Sequence, residues 1–197
     1  ARARPGEILD AARDLFSRKG FEAARMDEVA AAAGVTKPAV YRYFPGKDRL
    51  IEALLEQDLA TPWRQLAAWI EAHPGPIEDL VDGFAERVGE LQNSGLTRGY
   101  LILALDESGR RPEIAAFIRD QSLAPGLMVL ARAFYQAVER GELAKGHEPQ
   151  DMARMFFAPF LQTSLGSVGY ALPVGDLDEQ RRYRRFHTAA FLRAFRA

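Results

Sequence analysis

The stretch MDEVAAAAGVTKPAVYRYFPGKDRL, from Met26 to Leu50, decides how this chain folds at its start. From Asp27 to Ala33 the residues are helix formers, and Val29, Ala30 and Ala33 share one face at helical spacing. Gly34 then stands where a helix stops, because a residue without a β-carbon enters the left-handed conformation at no steric cost. Thr36 is placed to cap a second helix with its hydroxyl. Pro38 falls in that helix's first turn, where a missing N–H leaves no bond unmade. Two short helices about a tight glycine-marked turn make a helix-turn-helix.

The second predicted helix, Lys37 to Phe44, divides its faces. Val40 and Phe44 lie four apart and point to a small core, which leaves Lys37, Ala39, Tyr41, Arg42 and Tyr43 to other directions. Lys37 and Arg42 bring charge for phosphates or guanine edges, Ala39 suits a thymine methyl, and the two tyrosine hydroxyls suit phosphate oxygens. Pro45 and Gly46 break the helix. Lys47 opens the next one, where free N–H groups and the positive dipole end also favour a phosphate.

Extended back to Ile8, the run ILDAARDLFSRKGFEAARMDEVAAAAGVTKPAVYRYFPGKDRL resembles the DNA-binding domain of the TetR family of transcriptional regulators. The resemblance implies that Thr36, Lys37, Pro38 and Ala39 lie at the start of the recognition helix. It also implies that Tyr41, Tyr43 and Lys47 hold the phosphate backbone. One position departs from the family pattern: Arg25 stands where Thr or Ser is usual just before the first helix of the motif. The hydroxyl cap and its phosphate contact are lost there, so Asp27 or water is left to satisfy the helix end, while Arg25 itself has the charge to reach a phosphate.

The rest of the composition narrows the function. Of 197 residues, 48% are hydrophobic and 27% charged, the balance of an ordinary globular protein. The formal net charge is −1, but residues 1–50 carry 10 Lys and Arg against 7 Asp and Glu, whereas residues 51–197 carry 16 against 20. The basic excess therefore sits with the reader motif. The absence of cysteine removes disulfides, thiolate catalysis and Cys-type zinc sites. His73, His147 and His187 lie far apart, so no metal site and no cofactor is expected. No signal-peptide pattern and no window of about 18 apolar residues is seen, so a cytoplasmic location is expected. Arg2 and Arg4 form either a plain solvated terminus or an arm toward a minor groove.

Beyond Leu50 the pattern remains helical, predicting an all-α protein divided into a DNA-binding domain over residues 1–50 and a ligand-binding and dimerisation domain over 51–197. Helices are expected over Gly46–Ala72, Ile77–Asn93, Leu96–Asp106, Pro112–Ser122, Gly126–Arg140, Pro149–Tyr170 and Asp178–Ala194. The segments DESGRRPEIAAFIRD and AFYQAVERGEL are similar to the ligand-binding region of one subset of TetR-like regulators. Met155, Phe160, Tyr183, Phe186, Phe191 and Phe195, set among arginines, suit a dimer interface. The resemblance implies the same, a four-helix bundle from the last two helices of each copy. Pro159 inside an apolar helix should kink it and open room for a ligand. Trp63, Phe84, Tyr100, Phe117, Gln121, Phe134, Phe156 and Gln162 are candidate pocket walls, suited to an apolar or aromatic effector.

Together these features predict a homodimeric, sequence-specific DNA-binding regulator, a repressor released from a palindromic operator by a small molecule. The alternative is a small-molecule-binding protein or enzyme with an incidental helix-turn-helix, but no nucleophile, paired histidines or phosphate loop converge in the sequence.

Overall fold

The computed structural model describes residues 4–93, 112–167 and 175–197. Tyr100, the helix predicted over Leu96–Asp106, and Arg2 lie outside them. The described residues are helical and contain no strand, and their one β-type pairing is an isolated bridge between Leu143 and Arg196. The chain divides into two compact units, Ala1–Leu59 and Ala60–Ala197.

In the first unit, α1 (Pro5–Lys19) starts with proline in its first turn and stops at Gly20, whose φ of +80° costs a glycine little. Arg4 stands at the N-cap of α1, and its backbone N–H donates to Glu7. Helices α2 (Met26–Ala32), α3 (Lys37–Tyr43) and α4 (Lys47–Leu55) complete the unit. Ile8, Ala12 and Leu15 from α1, Val29 from α2, Val40 from α3, and Leu50 and Leu54 from α4 close a small core. Each of the larger side chains stabilises the fold by about 1.5–3 kcal/mol relative to exposure. At the rim, Arg13 grips Asp58 with two bonds, Nε to Oδ2 at 2.6 Å and Nη2 to Oδ1 at 2.8 Å, tying α1 to the segment after α4.

The second unit contains α5 (Thr61–Ala72), α6 (Ile77–Asn93), α7 (Pro112–Ile118), α8 (Ala124–Glu139), α9 (Pro149–Ser167) and α10 (Leu177–Phe195). Two short π-helical turns, Glu56–Ala60 and Arg119–Leu123, precede α5 and α8. Each is followed within two residues by a proline, Pro62 or Pro125. A proline ring collides with the carbonyl four residues back, Asp58 or Gln121, and both of those lie inside the π turns. A wider turn lets the helix pass the proline without that bond. The two separate helices expected over Pro112–Ser122 and Gly126–Arg140 are therefore one helical path, Pro112–Glu139, that bulges at Pro125 instead of breaking.

That path is 28 residues long with an 18-residue window of mean hydropathy 1.2, so by length and composition it is able to span a membrane, contrary to the expectation from sequence. Its apolar face is used otherwise: Leu130, Phe134 and Ala137 are buried in the core of the unit. Around them pack Phe84 from α6, Phe156 and Phe160 from α9, and Phe191 from α10, with ring centroids 4.9–5.7 Å apart in tilted and edge-on pairs. Helix ends are closed by side chains as well. Asp176 accepts the N–H groups of Asp178 and Glu179, and the Glu142 carboxylate accepts the Ile77 N–H at 2.6 Å.

Candidate nucleic-acid interface

The turn between α2 and α3 is built by backbone chemistry. Gly34 has φ +65°, its N–H donates to the Ala31 carbonyl at 3.1 Å, and the Val35 N–H donates to the Ala30 carbonyl at 3.0 Å. This bond pair is a Schellman closure, and its left-handed residue is the reason for glycine here. With the turn set, α3 buries Val40 and leads to buried Phe44, which leaves Thr36, Lys37, Pro38, Tyr41 and Arg42 exposed and Ala39 and Tyr43 half-buried. The division of faces predicted from spacing is present.

Electrostatics organise the exposed face. Lys37 Nζ lies 2.7 Å from Asp27 Oδ1, so α2 and α3 are pinned by an exposed ion pair. The hydrogen bond and charge of Lys37, with a smaller contribution from Arg25, hold the Asp27 carboxyl below the ordinary carboxylate range, and the Lys37 ammonium is raised in return. Arg42 donates to the Tyr43 hydroxyl at 3.1 Å and stacks over its ring at 4.8 Å, and Lys37 stands 5.8 Å from the centre of the Tyr41 ring. Such exposed pairs are weak. They orient the cations without locking them away from a ligand.

Three details differ from the expectations. Thr36 occupies the N-cap position, but its side chain makes no capping bond, so the extended backbone and Pro38 alone start α3. At the start of α2, the Arg25 N–H is accepted at 3.1 Å by Glu28, not by Asp27, which is engaged with Lys37. Glu28 also pairs with Lys19, and that hydrogen bond first, then the one from the Arg25 N–H, lowers its pKa. A glutamate three residues after the cap position is a capping-box signal readable in sequence. The third is Lys47. Its ammonium donates to the carbonyls of Phe21 (2.7 Å), Glu22 (3.1 Å) and Ala24 (3.3 Å) and sits 4.5 Å from the centre of the Phe21 ring. An ammonium has three N–H bonds, and all three are spent on the chain's own loop instead of being held out for phosphate.

Residues 8–54 match the family model described as bacterial regulatory proteins, tetR family, and they bracket the turn, the reader helix and the Lys47 clamp. The chain carries the DNA-binding domain of the TetR family of transcriptional regulators. Among curated relatives it is 29% identical over 140 residues to the transcriptional regulator UidR of Escherichia coli K12, covering 70% of this chain and 67% of that one. Its fold is that of a putative TetR-family regulator from Mesorhizobium loti MAFF303099, with TM-score 0.78, 20% identity and 98% and 96% of the two chains covered. It is also that of SmeT in a triclosan complex, with TM-score 0.81, 24% identity and 98% and 91% covered.

In the second unit the predicted residues separate by depth. Of the proposed pocket walls, Phe84, Phe134 and Phe156 fill one another's space in the core. Trp63 is half-buried with its ring 5.6 Å from Phe157, Phe117 and Gln162 are half-buried, and Gln121 is exposed. The helix runs on through Pro159, and Phe156, Phe157 and Phe160 on either side of it are buried. Cavities of about 450 and 260 Å³ are lined by other residues. Of the proposed interface residues, Met155, Tyr183 and Phe186 are exposed, whereas Phe160, Phe191 and Phe195 are buried in the chain's own core and present no face to a second copy. A stripe at Arg184, Thr188, Phe191 and Phe195 turns inward while Tyr183 and Phe186 turn out. The four-three-four spacing is the signal that separates them.

Proposed function

We propose that this regulator is a homodimeric, non-enzymatic repressor acting in the cytoplasm, released from a palindromic operator by a small apolar or aromatic effector. One observation carries the DNA-binding part: a reader helix whose inner face is fixed by Val40 and Phe44 and whose outer face offers Lys37, Tyr41, Arg42 and Tyr43. Thr36, Pro38 and Ala39 lie with them at its start, and Arg25 at the adjacent helix end. Two such readers related by a two-fold axis match two half-sites in successive major grooves. Met155 and Leu161 on α9, with Tyr183 and Phe186 on α10, form large exposed apolar side chains on the two helices that would pair. The triclosan complex of SmeT supports an aromatic effector class here. Release would follow from population shift: an effector that favours the state with wrongly spaced readers lowers operator affinity by that preference.

The test is selection of bound sites from random DNA, then gel shifts with excess competitor. The expected outcome is a palindrome that survives competition, with Lys37→Ala relaxing selectivity at one position about tenfold. Tyr43→Phe should weaken all sites alike, because a phosphate contact carries no sequence information. Recovery of sequences with no symmetry and full competition by random DNA would overturn the proposal. Loss of affinity equal on every site for Lys37→Ala would make Lys37 a backbone contact only.

A further inference from the structure

Among the described residues, no carboxylate pairs with Arg184. It lies on α10 facing α6, is only 8% exposed, and its Nη1 is fully buried without an acceptor among the described residues. Its place is prepared on the opposite helix by Gly89. A β-carbon there would stand 2.6 Å from the guanidinium carbon and 2.8 Å from Nε and Nη2, so it would displace the guanidinium from its present place across α6. A buried, unpaired charge is costly to keep, so an anion that answered it would recover part of that cost. Burial, with repulsion from Arg181, holds the pKa of Arg184 below the ordinary arginine value.

The guanidinium borders a cavity of about 450 Å³, within the range of small-molecule sites of about 300–1,000 Å³. Arg181 and Arg185 line it beside Arg184, with Thr188 one turn on. Asp82, Glu86 and Glu90 on α6 line the other wall, yet among the described residues none of them forms an ion pair with Arg184. One wall thus asks for an oxyanion, which a planar guanidinium takes in two parallel bonds, and the other asks for hydrogen-bond donors.

We propose that the cleft between α6 and α10 is a binding site for a small acid carrying hydrogen-bond donors, an α-hydroxy or α-amino acid in class, with Arg184 as the anchor of its carboxylate. The site stands apart from the predicted apolar pocket, and binding there is measured without DNA.

The test uses the full chain with glycolate, and with inorganic phosphate as a bare oxyanion, each against chloride at matched ionic strength, followed by thermal shift and calorimetry. The expected result is anion-specific stabilisation of the wild type and at least about tenfold weaker binding in Arg184→Gln, the scale of a charged hydrogen-bond pair. Arg182→Gln, on the same helix but outside the cavity, should bind as the wild type does. Gly89→Ala keeps the arginine but occupies its bed, so it should weaken binding as well; it decides the matter if Arg184→Gln is unfolded by circular dichroism. Absence of an anion-specific shift in the wild type, or a shift in both cavity variants as large as the wild type's, overturns the proposal. So does a change in the monomer–dimer equilibrium of Arg184→Gln with no anion effect, which would show that a carboxylate of a second copy answers Arg184.

Discussion

Replacing Lys47 with methionine removes the ammonium and keeps a stem of similar length, so it isolates the clamp on the loop after α1. Three carbonyl bonds are lost, and those to Phe21 and Ala24 are part-buried. Hydrogen bonds to a charged group contribute about 1.5–3 kcal/mol each. Water can take over the exposed Glu22 carbonyl and part of the other two, which brings the expected loss to about 2–3 kcal/mol. At 1.4 kcal/mol per tenfold, amide protection in α1 and α2 should fall about 30- to 150-fold. Hydrogen exchange followed by mass spectrometry on the full chain reads this locally, and the amides of α6 in the other unit serve as the unchanged reference. DNA binding gives the second readout. If the ammonium belongs to the loop, the salt dependence of operator binding keeps its slope, whereas loss of a phosphate contact would reduce it by about 0.9. Protection within threefold of the wild type together with a shallower salt slope would refute the clamp and return Lys47 to the DNA backbone.

Two further perturbations test the unit around the reader. Asp58→Asn removes the buried carboxylate of the fork while the exposed pairing of Arg13 with Asp10 remains; with that second partner kept and the arginine part-exposed, a loss of about 1–2 kcal/mol is expected, less than for a fully buried pair. Exchange in α1 checks it, and a change under about 0.5 kcal/mol would make the fork ornamental. For Asp27, the pKa is lowered in the folded state, so its contribution is present above the unfolded value of about 3.9 and is lost as pH falls through the lower folded one. Carboxyl NMR should therefore place its midpoint below about 3.9 in the wild type, and Lys37→Ala should move it back up; an unmoved midpoint would remove Lys37 as the cause.

The reader was legible in sequence because its determinants are local. A Schellman closure needs only a glycine in the right place, and the two faces of α3 follow from residues four apart, so Gly34, Val40 and Phe44 could be assigned from Met26–Leu50 alone. The end of Ile77–Asn93 was local too, since Pro74 and Pro76 bound it on one side. Tertiary structure decided whatever depends on the element across the way. Periodicity shows that Lys47 opens a helix, but not that the carbonyls of Phe21, Glu22 and Ala24, more than twenty residues earlier, would be waiting for its ammonium. Composition shows aromatics on α9 and α10 without separating Phe160, Phe191 and Phe195, which go inward, from Tyr183 and Phe186, which go out. Nor does a chain rich in arginine reveal that Arg184 would be buried, because its guanidinium lies against Gly89, nearly a hundred residues away. Short-range backbone chemistry is written in the order of residues; which charge is paired and which aromatic is covered is settled only when the helices meet.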